Sequence, residues 1–178
     1  SLGRAPPHLR DASPQQFRGD TIIGRAEPLT RLEELYGSLE DSGGHSVLVT
    51  GEAGIGKTTL VERFRETVGT GDEPPLFATG FCEPEVQPAY NAFRGAMGDL
   101  PTDRDVSDIL TNAASLSAED SAELQQRRRS LFAEVATELR QVARDRPVVV
   151  LVEDMQWADR GTVDLFEYLV DEVGRWGH

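Results

Sequence analysis

The sequence has a single cysteine, Cys82, in 178 residues. One thiol makes no internal disulfide and no cysteine-based zinc site, and such a chain fits a reducing cytosol, so a cytoplasmic location is expected. Basic residues are also scarce. The 18 Lys and Arg stand against 31 Asp and Glu, for a formal net charge of −13. A sequence-independent grip on nucleic acid needs a cationic surface, so direct nucleic-acid binding by this segment is not expected. That argument does not reach other domains of a longer protein. No run of about 18 apolar residues occurs, and no signal peptide, so no membrane contact is expected. The three histidines, His8, His45 and His178, fall in tails or loops without metal-ligand spacing. Residue 1 is Ser rather than Met, so the start reads as that of a trimmed chain.

What remains is an ordinary soluble composition, 38% hydrophobic and 28% charged, sized for one domain or most of one. Residues 1–20 are rich in Pro, Arg, Gln and Ser without a hydrophobic period, so they read as a tail or linker ahead of residues 21–178. After Thr21-Ile22-Ile23-Gly24-Arg25 come Pro28 and then Leu29, Leu32, Leu35 and Leu39, the spacing of an amphipathic helix that Asp41-Ser42-Gly43-Gly44 ends. Two readings of Ile22 to Arg25 stand: packing on the core, which residue types alone favour, and the lining of an adenine pocket.

Further along, Leu76 to Cys82 reads as a strand, with Cys82 packing as a small hydrophobe at its end. Tyr90, Phe93, Met97 and Leu100 mark a short helix. Residues 101–120 are polar, with weak periodicity through Val106, Ile109, Leu110 and Leu116, and Ser117 to Asp120 suits a helix start of the capping-box kind. The clearest helix carries Leu124, Leu131, Phe132, Val135, Leu139 and Val142 and stops at Asp145-Arg146-Pro147. Its Arg127-Arg128-Arg129 turn reads as a solvated face. In a last helix, capped by Asp159, Val163, Phe166, Leu169, Val170 and Val173 form the buried face.

Two stretches carry chemistry. Gly51-Glu52-Ala53-Gly54-Ile55-Gly56-Lys57-Thr58 fits the phosphate-binding P-loop pattern. Val47 to Thr50 before it reads as a buried strand, and Thr59-Leu60-Val61-Glu62-Arg63-Phe64 after it opens a helix whose apolar face runs through Leu60, Val61, Phe64 and Val68. Strand, glycine loop and helix is the context the motif needs. Glycines bring backbone N–H groups close to phosphate oxygens, and the helix start adds its dipole and free donors. Lys57 is then expected to reach the β- and γ-phosphates and Thr58 to ligate Mg²⁺. The second stretch is Val148-Val149-Val150-Leu151-Val152, an unalternating run that reads as a central parallel strand covered on both faces. It leads directly into Glu153-Asp154. Acids at the end of such a strand lie where open α/β sheets bind ligands. One is expected to hold Mg²⁺ and its neighbour to orient or deprotonate the attacking water, a Walker B arrangement.

Together these residues resemble the AAA-type ATPase domain of the STAND class of signalling NTPases, as found in large bacterial LuxR-type transcriptional regulators. The resemblance rests on Gly24-Arg25-Ala26-Glu27 followed by leucines, on Gly51 to Thr59, on Pro88, Tyr90 and Phe93, and on Val148 to Asp159 with its Trp157-Ala158-Asp159 ending. It covers about residues 21 to 175. It implies an α/β, three-layer P-loop NTPase fold with a parallel sheet. Of that sheet the chain carries strand 1 (about 46–50), strand 2 (about 76–82) and strand 3 (about 147–153), with strands 4 and 5 absent. A sheet lacking its middle strand leaves the chain as the N-terminal portion of a domain, or pairs strands 1 and 3 directly, or is filled by something else. The resemblance also implies ATP and ADP with Mg²⁺ as ligands, self-association through the ATPase domain, and other domains on a longer chain. The nucleotide set is then Gly51, Glu52, Ala53, Gly54, Ile55, Gly56, Lys57, Thr58 and Thr59 with Gly24 and Arg25. The catalytic set is Lys57, Glu153 and Asp154, and the metal set is Thr58, Glu153 and Asp154. The family commonly has two aspartates where this chain has Glu153 and Asp154, so which acid holds the metal stays open.

The expected function is an Mg²⁺-dependent ATP-binding switch module of a larger signalling or transcriptional regulator, with hydrolysis in the full-length protein once the missing strands complete the domain. The alternatives are a non-hydrolysing interaction module that keeps the fold, and a nucleic-acid-dependent ATPase. The net charge and Trp157-Ala158-Asp159 count against the last.

Overall fold

In a computed structural model, residues 20–23, 28–52, 54–85, 87–116 and 121–176 are described. In chain order they form β1 (Asp20–Ile23), α1 (Pro28–Gly37), α2 (Leu39–Ser42), β2 (Val47–Thr50), α3 (Lys57–Gly69), β3 (Leu76–Phe81), α4 (Asn91–Met97), α5 (Val106–Ser115), α6 (Ala122–Asp145), β4 (Val148–Glu153), a 3₁₀ turn (Met155–Trp157) and α7 (Arg160–Val173). None of these helices is long and apolar enough to cross a membrane. The chain divides into two compact units: one holds the described residues of 20–74 and 170–176, the other those of 75–169.

In the first unit β1 and β2 pair in parallel, with Asp20 opposite Val47 and Ile23 opposite Thr50. Parallel neighbours need a crossover, and the segment holding α1 and α2 supplies it. This strand was not foreseen. Asp20 to Ile23 fell at the edge of the expected tail and in a stretch read as helix packing or pocket lining, although Thr-Ile-Ile is a β-branched run between Gly19 and Gly24. The single helix expected from the leucine spacing is broken in two. The N–H of Ser38 is shared between the carbonyls of Glu34 (3.1 Å) and Leu35 (3.3 Å), and Gly43, left-handed at φ 76°, caps α2. Leu35, Phe64 and Val68 form the buried centre, and the Tyr36 ring meets Phe64 edge-on at 6.0 Å.

In the second unit β3 and β4 pair in parallel from Leu76 opposite Val148 to Phe81 opposite Glu153. The helix α4 lies against this ladder so closely that a Cβ on Gly80 would fall 1.8 Å from the Ala92 carbonyl oxygen. Only a residue without a side chain fits there. Tyr90, Phe93, Met97 and Leu100 are buried, as their spacing predicts. The polar stretch after them contains a helix the weak periodicity did not disclose. Asp105 caps α5 by accepting from Ser107 N (2.8 Å) and Asp108 N (3.3 Å), and Val106, Ile109, Leu110 and Ala113 are buried. Ser117 to Asp120 lie outside the described residues, and the cap of α6 is Ser121, whose hydroxyl accepts from Leu124 N at 3.3 Å. From α6, the buried Glu138 carboxylate accepts the N–H groups of Asp103 (3.0 Å) and Arg104 (3.2 Å), which fastens the loop ahead of α5. Phe132 meets Tyr90 at 5.7 Å and Tyr168 at 5.8 Å, both edge-on.

Of the expected strands, 2 and 3 lie side by side as β3 and β4, while strand 1, which is β2, pairs with β1 and not with strand 3 among the described residues. Both β2 and β4 are half-buried along their whole length rather than fully covered. Each has a ladder on one edge among the described residues, so its apolar run is shielded in part. The arginine turn is corrected at one position: Arg127 and Arg129 are exposed, but Arg128 pairs with Asp164 at 3.3 Å.

Candidate functional site

The glycine loop leaves β2 at Thr50 and ends where α3 begins at Lys57. Gly54 (φ 79°) and Gly56 (φ 99°) are left-handed, a conformation that side-chain-bearing residues seldom hold. Gly56 is the N-cap of α3 and brings no side-chain bond to it, while its carbonyl accepts the first intrahelical bond from Leu60 N at 2.9 Å. The first-turn N–H groups of α3 are thus left uncapped by a side chain, with the positive end of the helix behind them. The Lys57 ammonium folds back over the loop, donating to the carbonyls of Gly51 (2.9 Å) and Glu52 (3.1 Å). Thr58, Thr59 and Ile55 are exposed at the same place. The loop therefore concentrates positive charge and backbone donors on one exposed spot, which suits a phosphate. Ala53, Gly24 and Arg25, which sequence reasoning added to the nucleotide set, lie outside the described residues.

The acid pair sits in the other unit. Glu153 is the last residue of β4, half-buried, and its carbonyl accepts from Cys82 N at 3.0 Å. Asp154 follows in the left-handed region (φ 56°, ψ 40°), where Asp is tolerated better than most residues. Its side chain is exposed, with Oδ1 accepting from Gln156 Nε2 at 3.0 Å. Its carbonyl starts the 3₁₀ turn by accepting from Trp157 N at 2.8 Å. Asp159 closes this stretch as the cap of α7, as its position suggested: Oδ1 accepts from Thr162 N at 3.0 Å and Oδ2 from the Thr162 hydroxyl at 2.5 Å. A third bond, from Tyr90 N at 3.4 Å to Oδ1, could not be read from spacing. Nearby, Cys82 is buried, and desolvation, helped by the negative charges of Asp159 and Asp154, pushes its thiol up to about 11. That matches the reading of Cys82 as a packing residue rather than a nucleophile.

The acid pair presents one exposed and one half-exposed carboxylate. Among the described residues no group of three or more His, Cys, Asp or Glu gathers to cage a metal. Mg²⁺ does not require a cage, since it takes one or two carboxylates, a hydroxyl, waters and substrate phosphates. The donors present are hard oxygens and fit that ion.

These features define a phosphate-binding α/β protein, and the comparison with protein families agrees. A family model described as AAA ATPase domain matches residues 21–178. The chain belongs to the AAA ATPase domain family, whose members have the P-loop NTPase type of α/β fold and whose domain is a nucleotide-binding ATPase module. Searches of curated proteins and of solved structures found no match.

Proposed function

We propose that this chain is the ATP-binding, Mg²⁺-dependent switch module of a larger signalling or transcriptional regulator of the STAND class. The observation that carries the nucleotide site is the glycine loop itself: two left-handed glycines, a helix start without a side-chain cap, and an ammonium held over the loop by two carbonyls. Gly51 to Thr59 cradle the phosphates, with Lys57 turning its donors to the β- and γ-oxygens and the Thr58 hydroxyl serving as a metal ligand. Glu153 and Asp154 divide the tasks of holding the metal and orienting water. Bound Mg²⁺ would supply neutralisation of the phosphate charge. The regulator setting is supported by the Trp157-Ala158-Asp159 ending of the acid block and by the spacing of the motifs. Self-association through the domain belongs to the same reading.

The test is equilibrium titration with a fluorescent ADP or ATP analogue and Mg²⁺, on the chain and on Lys57→Ala. Removing a charge-assisted donor from a phosphate site should weaken binding about tenfold or more. Binding by the unaltered chain no tighter than by the variant would overturn the proposal.

A further inference from the structure

Two non-glycine residues among those described have left-handed backbone, Tyr90 (φ 63°) and Asp154 (φ 56°). For a bulky residue such as Tyr this conformation is costly, and it persists only where the surroundings impose it. Both are tied to Asp159, Tyr90 by a hydrogen bond to its carboxylate and Asp154 through the turn that precedes it. Asp159 accepts from Tyr90 N, 69 positions away in the chain, and also from the N–H and hydroxyl of Thr162. Asp154 opens the 3₁₀ turn that Asp159 follows, and that turn is closed by bonds from Trp157 N to the Asp154 carbonyl (2.8 Å) and from Ala158 N to the Met155 carbonyl (3.1 Å). The join is tight: a Cβ on Gly161 would fall 2.9 Å from the Tyr90 ring and 3.0 Å from Asp159 Oδ1. A helix cap needs only the Thr162 bonds. The bond to Tyr90 adds something a cap does not, since it fastens the turn to the start of α4.

Building on the nucleotide-site reading above, we propose that Asp159 is a positioning residue for the acid pair. Its carboxylate locks the turn beginning at Asp154 against the start of α4 and so keeps Asp154 in the backbone conformation from which it serves Mg²⁺. Asp159 acts through this geometry, with Oδ1 accepting from Tyr90 N and Thr162 N and Oδ2 from the Thr162 hydroxyl.

The test compares Asp159→Ala with Asp159→Asn in the whole chain. Asn keeps a carbonyl for the two N–H groups and an amide that can donate to the Thr162 hydroxyl, so it should preserve the geometry without the charge. One arm follows amide hydrogen exchange without nucleotide. Asp159→Ala should speed exchange about tenfold at Tyr90, Trp157 and Ala158 while leaving the β3–β4 ladder unchanged, and Asp159→Asn should stay near the unaltered chain. The other arm measures fluorescent ADP binding with and without Mg²⁺. Asp159→Ala should keep the Mg²⁺-free affinity and lose most of any Mg²⁺-dependent gain, and Asn should restore it. Unchanged exchange in Asp159→Ala, equal defects in Ala and Asn, or an intact Mg²⁺ gain in a loosened Ala variant would each overturn the positioning role. Failure of the unaltered chain to bind ADP at all would overturn the nucleotide reading, and the exchange arm would then still decide the lock. Should Asp159→Ala not fold, Thr162→Val removes the hydroxyl bond alone and should show the same pattern at about threefold. No change there overturns the proposal.

Discussion

Cys82 directly follows β3 with 8% of its surface exposed, packed with Ala92, Ala158 and Val163. Burial first, then the charges of Asp159 and Asp154, raise its thiol from 9.0 to about 11. The stability this confers is present in full below pH 9.0 and is lost as pH rises through about 11, because the unfolded chain then releases a proton that the folded chain still holds. Urea midpoints measured across that window should therefore fall more steeply for the unaltered chain than for Cys82→Ala. Equal slopes would show that the thiol does not couple to folding. His45 is a second residue whose state follows from its partners. The Ser38 hydroxyl gives its proton to the Leu35 carbonyl (2.9 Å) and the Ser42 hydroxyl to the Ser38 carbonyl (2.7 Å). Both hydroxyl oxygens lie 2.8 Å from His45 Nε2, and with the hydroxyl protons on the carbonyls the arrangement is completed by an Nε2 that donates to the two oxygens. Nitrogen NMR of the ring should show a protonated Nε2, and a bare Nε2 would contradict this arrangement. At this scale the P-loop residues were legible because their chemistry lies in eight consecutive positions, Gly51 to Thr58. The third bond of Asp159 was not, because its donor is 69 positions away.

Among the elements, α4 and β3 depend on each other through one missing side chain. The 1.8 Å approach between a Cβ at position 80 and the Ala92 oxygen involves backbone, which cannot turn aside as a side-chain tip can. Gly80→Ala should therefore cost about 3 kcal/mol, the upper end for overpacking, measured by urea denaturation. A loss under about 0.5 kcal/mol would mean that α4 shifts freely on the ladder. Helices with long apolar periods were legible: α6 runs Ala122–Asp145, close to the reading from Leu124 to Val142. Shorter elements were not. β1 has four residues and among the described residues pairs with β2 across a crossover, so little in its own sequence distinguishes it from a packed connection. α5 is amphipathic over ten residues, but its cap, Asp105, was lost in a polar stretch. In the last helix Val163 and Leu169 are buried as expected, but Leu165, not expected on that face, is fully buried while Phe166, Val170 and Val173 are half-buried.

For the whole molecule, charge is the property that acts at a distance. With a net −13, a polyanion meets repulsion beyond any local arginine turn, and Arg128 is already drawn into a pair with Asp164. Fluorescence anisotropy with duplex DNA at about 50 mM salt should show no binding in the range of about 10⁻⁶ M that nonspecific DNA binders reach or exceed at such ionic strength. Salt-sensitive binding there would instead favour a nucleic-acid-dependent ATPase. Motif order, loop chemistry and family were determined by the sequence alone, because each rests on neighbouring residues and on backbone preferences that act within a few positions. The pairing of β1 with β2, the approach of α4 to Gly80 and the bond from Tyr90 to Asp159 were decided only by the tertiary structure. Each joins segments far apart in the chain, and local spacing holds no information about which distant group completes a ladder, a contact or a buried carboxylate. So the glycine loop could be read directly, while the residue proposed to hold the acid-bearing turn in place emerged only when its partners were in view.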